Sequence, residues 1–173
     1  PHQRVAFALL AAGLVAAPIA GIYPVFLMKA LCFALYASAY NLLIGYAGLV
    51  SFGHAAFLGS AGYVSAHAAK VWGLTPELAI LAGTATSTLL GLAFGALAIR
   101  RQGIYFAMIT LALSQMVFFL CLQAPFTGGE DGIQAVPRGK LLGIVDLRDD
   151  RVMYAFVASV FFAAFYMIYR VVH

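Results

Sequence analysis

The chain has 173 residues, of which 64% are hydrophobic and only 9% are Asp, Glu, Lys or Arg. A soluble domain has roughly 25% charged residues, so ten basic and six acidic side chains are too few to cover a water-facing surface. The formal net charge of +4 comes without a long basic run, which excludes nucleic acid as an expected partner. The composition instead predicts an all-α, polytopic integral membrane bundle in contact with lipid.

Six apolar segments of about 20 residues, the length that crosses a bilayer as a helix, lie between polar breaks. They cover residues 5–22, 25–47, 52–69, 78–99, 103–124 and 152–169. The first follows Arg4 as a secretory signal would, but cleavage after Ala17 would leave Pro18 at the new N-terminus, so we interpret it as a retained span. The third is short and follows a glycine-rich stretch. Both a full crossing and a re-entrant or broken element remain open for it.

Glycine and polar residues interrupt the boundary between the second and third spans. They are Asn41, Gly45, Gly48, Ser51, Gly53 and His54. Lipid tolerates irregular backbone only where protein or a water-lined path surrounds it. We therefore expect the chain between Gly45 and Gly53 to leave helical geometry and to form part of a transport route, with Ser51 capping the third helix. The alternative is a tight loop whose glycines serve packing alone.

Further candidates for the route are Thr110 and Ser114, which share one weakly polar face of the fifth span. Their hydroxyls could instead bond carbonyls of their own helix. For Asn41 the alternative is a hydrogen bond between helices, and for His54 it is a hydrogen-bonded structural histidine. No metal or cofactor is expected, since Glu130 next to Asp131 supplies too few oxygen ligands.

Small residues recur at four-residue spacing in the fourth span, at Gly83, Ser87, Gly91 and Gly95. Helices in lipid associate through close packing and hydrogen bonds between helices, which small side chains permit. This stripe predicts a helix-packing face in a compact multi-helix body.

The loops indicate how the chain is oriented. The Arg100–Arg101 turn carries two cations and no acid, which favours the cytoplasmic side and places the long loop, residues 125–151, on the opposite side. Within that loop, residues 140–145 could pair with residues 133–136 as a hairpin. Asp149 or Asp150 is expected to cap the sixth helix.

Three blocks carry a resemblance to a known family. Residues 41–57 read NLLIGYAGLVSFGHAAF, residues 101–112 read RQGIYFAMITLA, and residues 127–133 read TGGEDGI. In this order they resemble the bacterial Liv-type ABC permeases for branched-chain amino acids, and are most similar to the second permease subunit of the heteromeric pair.

The resemblance implies one membrane half of an ATP-driven importer in the inner membrane, for branched-chain amino acids or a similar small polar solute. It implies three kinds of protein partner, namely a sister permease, two ATPase subunits and a periplasmic substrate-binding protein, in addition to the membrane lipid that the composition predicts. The sequence contains no G-x-x-x-x-G-K-S/T phosphate loop, so we expect no enzymatic activity of the chain itself. Because the family continues into an ATPase-docking segment, we expect residues 1–173 to be one transmembrane permease domain truncated at its C-terminus.

Two other classes of function were weighed. An ion- or proton-driven carrier usually needs a buried ionisable group, and no Asp or Glu lies inside any predicted span. An intramembrane hydrolase could use Ser51 and His54 as a dyad, but the surrounding residues lack an oxyanion-hole signature. Dependence on ATP would separate the importer from the carrier.

Overall fold

The computed structural model describes the backbone of residues 2–172 and the side chains of residue 5 and of residues 7–172. The side chain of Arg4 and the whole of His173 lie outside it. The described chain forms six α-helices, α1 (His2–Ala16), α2 (Pro24–Leu42), α3 (His54–Lys70), α4 (Pro76–Ala98), α5 (Ile104–Gln123) and α6 (Asp150–Val172). Two short strands, β1 (Lys140–Leu141) and β2 (Val145–Asp146), form an antiparallel pair. The predicted all-α architecture is confirmed.

Four helical segments in the described residues are long and apolar enough to cross a membrane, which makes the chain a multi-pass membrane protein. They are Pro24–Ala47, Pro76–Ala98, Ile104–Gln123 and Asp150–Val172. The remaining helices, α1 and α3, have 15 and 17 residues. At 1.5 Å per residue they are about 23 and 26 Å long, shorter than the ~30 Å hydrocarbon core. The count of six crossings therefore stays a prediction.

The chain divides into two compact units, one made of Pro1–Ala39 with Leu147–His173 and the other of Tyr40–Asp146. The prediction of a single transmembrane domain is not tested by this division. In the first unit, α1, α2 and α6 surround a core of buried apolar side chains. Its buried members are Met28, Leu31, Tyr154 and Phe161.

The first helix ends at Ala16, six residues before the predicted end of its span. The cause is Pro18, which has no N–H to donate to the carbonyl of Leu14, four residues earlier. The hydroxyl of Tyr154 in α6 donates to this carbonyl instead, at 2.6 Å. The prediction of one helix over residues 5–22 was wrong, because hydropathy does not show that Pro18 lacks the backbone N–H that a continuing helix needs.

In the second unit, α3, α4 and α5 pack together. The closest approach is at Gly83, where an added Cβ would lie 2.0 Å from Ser65 Oγ and 2.6 Å from the Ala61 carbonyl oxygen of α3. Only glycine permits this contact between α3 and α4. The predicted stripe thus includes one position at which two helix backbones meet.

Contacts at its two ends show that α3 runs parallel to α5. Just before α3, Phe52 N donates to Thr110 Oγ1, while near its end His67 Nδ1 lies 3.1 Å from the carbonyl oxygen of Phe126. Both pairs are separated by nearly the same number of residues, 58 and 59. Helix α3 therefore follows α5 along most of its length, from Thr110 to the segment after its C-terminus.

The chain leaves α-helical geometry between Gly45 and Gly53, as predicted. A π-helical turn, Leu43–Ala47, follows α2, and Gly48 then takes a left-handed conformation with φ of 63°. Residues 49–53 form no regular helix, and α3 begins at His54. We refer to residues 43–53 as the break. Glycine suits position 48 because side chains with a Cβ rarely adopt positive φ.

The segment between α5 and α6 is held against the helix ends of the second unit. Buried Thr127 Oγ1 donates to the carbonyls of Cys121 and Ala124. Lys70 Nζ, at the end of α3, donates to the carbonyl of Gln134 at 2.7 Å. This end of the unit is therefore closed by a fixed segment.

One predicted feature of that segment is wrong and one is confirmed. Residues 140–145 do not pair with residues 133–136, because Gly143, with φ of 73°, lies in a tight turn that folds β2 back on β1. The sequence analysis placed this glycine inside a strand. The predicted cap is present, since Asp149 Oδ1 accepts a hydrogen bond from the N–H of Arg151 at 3.0 Å, in the first turn of α6.

Candidate functional site

The break is fixed to α5 by a buried hydrogen-bond network. Thr110 Oγ1 accepts from the backbone N–H of Phe52 at 3.2 Å and donates to the carbonyl of Ala107 at 3.0 Å. Ser51 Oγ accepts from the N–H of Gly53 at 3.2 Å. The Ser51 and Thr110 side chains are only 4% and 2% exposed. Both hydroxyls therefore serve backbone groups that the irregular chain would otherwise leave without partners.

The network lies inside the bundle and not at its surface. Thr110 is about 9 Å along α5 from Ile104, at a rise of 1.5 Å per residue. A Cβ built on Gly53 would lie 3.3 Å from both the Phe94 ring and the Thr110 carbonyl oxygen. The start of α3 thus approaches α4 and α5 closely, more than one helical turn inside the N-terminus of α5.

His54 lies in an aromatic cluster at the start of α3. Its ring centroid is 5.3 Å from that of Tyr40 and 5.7 Å from that of Phe57, both with edge-to-face geometry. Phe57 in turn contacts Phe94, with centroids 5.3 Å apart. Such pairs stabilise packing beyond the area they bury.

A cavity of about 210 Å³ opens between α3 and α5, next to the network. Ser114, one turn beyond Thr110, is the predicted route residue that lines it. The α3 side of the lining consists of Ala55, Ala56, Gly59, Ser60 and Tyr63. The α5 side consists of Ser114, Gln115, Val117, Phe118, Cys121 and Leu122. The arrangement offers hydroxyl and amide groups in a mainly apolar space, and none of the lining residues is Asp, Glu, His, Lys or Arg.

Comparison with known proteins now identifies the family. The model of the family described as "Branched-chain amino acid transport system / permease component" matches residues 22–172, which is most of the chain. The chain belongs to this permease family. The matched range contains the break, the hydrogen-bond network and the α3–α5 cavity.

One relative of this permease chain is the protein named "High-affinity branched-chain amino acid transport system permease protein LivM" from Salmonella typhimurium strain LT2. The two are 29% identical over 112 residues, which is 64% of this chain and 26% of the relative. The chain therefore corresponds to about a quarter of that protein's length. No solved structure matches the permease chain significantly.

The structure gives the predicted site residues of the permease chain different surroundings. Ser51, Gly53, Thr110 and His54 come together around the start of α3, and Ser114 lies one turn away. Ser51 does not cap α3 as predicted, because its hydroxyl bonds the N–H of Gly53, the residue before the helix. The alternative for Thr110 was a hydrogen bond from its hydroxyl to a carbonyl of its own helix. That bond is present, and the same hydroxyl also accepts a hydrogen bond from the break.

Other predicted residues lie away from this network. Asn41 is exposed, and a Cβ on Gly45 would have no atom within 4 Å. In the packing stripe, Gly91 and Gly95 likewise have open space, unlike Gly83. No group of residues suited to holding a metal ion occurs among the described side chains, those of residue 5 and of residues 7–172.

Sequence reasoning missed Gln115, which lines the cavity beside Ser114. Its signal was present, because an amide near the centre of a 20-residue apolar helix is costly in lipid and marks a polar environment. The prediction of the route rested on a face of small residues, and Gln115 is not small. Tyr63 was missed for a different reason, since its contribution depends on how α3 pairs with α5.

Proposed function

We propose that this chain is the membrane-spanning permease part of an ATP-binding cassette importer for branched-chain amino acids or a similar small polar solute. The observation that carries the proposal is the family match over residues 22–172. The fold supports it, because apolar helices surround an irregular, hydrogen-bonded break of the kind that membrane proteins keep where a solute path passes.

The proposed assembly contains a sister permease, two ATPase subunits and a periplasmic substrate-binding protein, in the bacterial inner membrane. The ATPase subunits hydrolyse ATP, and the permease chain itself is not an enzyme. The Arg100–Arg101 turn faces the cytoplasm, and residues 125–151 form a periplasmic loop. Support for this orientation comes from the two adjacent cations in a tight turn.

Transport by the reconstituted complex tests the proposal. Proteoliposomes that contain the full permease with its partner subunits should accumulate labelled leucine only when ATP and the binding protein are present. The matched control has ATPase subunits that bind ATP without hydrolysing it. Uptake that continues with this control and stops when an ionophore dissipates the ion gradients would instead identify an ion-driven carrier.

The break is proposed to form part of the wall of the solute route, with Ser51, Gly53 and Thr110 fixing its shape. In a variant lacking Cys32 and Cys121, Ser51→Cys provides a nearly isosteric thiol in the break. Its reaction rate with a small hydrophilic thiol reagent should differ between the resting and ATP-bound complex. A thiol that stays inert in every state while transport is intact would leave the break with a packing role only.

A further inference from the structure

The α3–α5 cavity has the size of a small organic solute. An apolar cavity of about 150 Å³ holds a benzene molecule. At about 210 Å³, this one would accommodate a somewhat larger molecule, comparable to a small aliphatic amino acid. On α5 its lining runs from Ser114 to Leu122, a distance of about 12 Å along the helix.

The α5 side of the lining is polar at one end and mainly apolar at the other, while the polar members of the α3 side are Ser60 and Tyr63. Ser114 and Gln115 lie at the N-terminal end of the α5 side, and Phe118 and Leu122 follow one and two turns later. None of the residues that line the cavity is Asp, Glu, Lys or Arg. A net charge would therefore enter without a counter-charge, whereas a net-neutral molecule with an aliphatic tail would find hydroxyl, amide and apolar groups in the lining.

Gln115 points to an occupant and not to a lipid-filled groove. Its side chain is exposed near the centre of α5, where an amide facing hydrocarbon would lose hydrogen bonds to water without replacement. A polar molecule in the cavity supplies those bonds. Ser60 Oγ already donates its proton to the carbonyl of Phe57 at 3.1 Å, so toward a bound molecule it can act only as a hydrogen-bond acceptor.

We propose that this cavity is a subsite for the transported solute, and that it takes a net-neutral small molecule with an aliphatic side chain. Ser114 and Gln115 bind the polar end, and Phe118 and Leu122 contact the side chain. The inference rests on the proposed import function but goes beyond it, since it assigns part of substrate binding to the permease and to named residues between α3 and α5.

Two glycines of α3 provide a matched test. A Cβ at Gly59 or at Gly62 would have no atom within 4 Å, but only Gly59 lines the cavity. Gly59→Leu should fill the space and raise the KM for leucine uptake by about tenfold or abolish uptake, whereas Gly62→Leu should stay within about twofold of the parent. Copurification of all subunits verifies assembly. Equal effects of the two variants in assembled complexes, or a normal KM for Gly59→Leu, would overturn the proposal.

A protection experiment reports binding directly. In a variant lacking Cys32 and Cys121, the introduced thiol of Ser114→Cys should be labelled by a small maleimide and protected by saturating leucine, but not by lysine. The control thiol of Ser87→Cys, on α4 and outside the cavity lining, should show no protection. If the parent complex imports leucine and Ser114→Cys is not protected, the subsite is refuted while the import function stands. If the parent complex does not import leucine, the proposed import function itself is refuted.

Discussion

The hydrogen bond between Thr110 and the break allows the strongest test of how the fold is held together. Thr110→Val keeps the shape of a side chain that is 2% exposed, so packing is conserved, but it removes the acceptor of the Phe52 N–H. The Ala107 carbonyl, the second partner of the hydroxyl, stays within the helix, so loss of its hydrogen bond to Thr110 should cost little stability. The Phe52 N–H is part-buried, so its loss of a partner should cost about 1 kcal/mol of unfolding free energy, the lower end of the penalty for a buried donor.

The control is Thr84→Val in α4, because the hydroxyl of Thr84 donates only to the carbonyl of Ile80 in its own helix, at 2.8 Å. Its removal should change stability by less than about 0.5 kcal/mol. Reversible unfolding of the purified protein in mixed micelles, followed by circular dichroism during a detergent titration, measures both variants. Equal stabilities of Thr110→Val and Thr84→Val would refute the view that the Thr110 hydroxyl fixes the break.

Two further predictions concern the ends of the helices. Tyr154→Phe removes the donor to the Leu14 carbonyl and should cost about 1–3 kcal/mol of unfolding free energy in the same titration, whereas Tyr166→Phe, at an exposed position of α6, should cost almost nothing. In intact cells, an impermeant maleimide should label a cysteine introduced at Gly139 but not one introduced at Gln102; the reverse pattern would contradict the proposed orientation.

Much of the fold followed from the sequence because lipid imposes strong rules on it. Apolar length located α2, α4, α5 and α6, and glycine spacing located the break. The sequence could not show that Thr110 serves the break, because the two are 58 residues apart and a threonine in a helix ordinarily bonds its own backbone.

The candidate site was less predictable than the fold. Ser114, predicted as a residue of the transport route, lies in the lining of the α3–α5 cavity, and its role in transport stays a prediction. Its neighbours there depend on how α3 packs along α5, which no local pattern encodes. The hairpin was misread for a related reason. A glycine such as Gly143 is found both in strands and in turns, and only its positive φ in the structure shows that it lies in a turn.

The hydrogen bond between the end of α1 and α6 has a consequence for how the protein is made. The Leu14 carbonyl and the Tyr154 hydroxyl are separated by 140 residues. During synthesis, α1 is therefore made long before its hydrogen-bond donor in α6 exists. Until α6 arrives, that carbonyl must be hydrated, which keeps the end of α1 near the water boundary. The arrival of α6 then replaces that water with the Tyr154 hydroxyl.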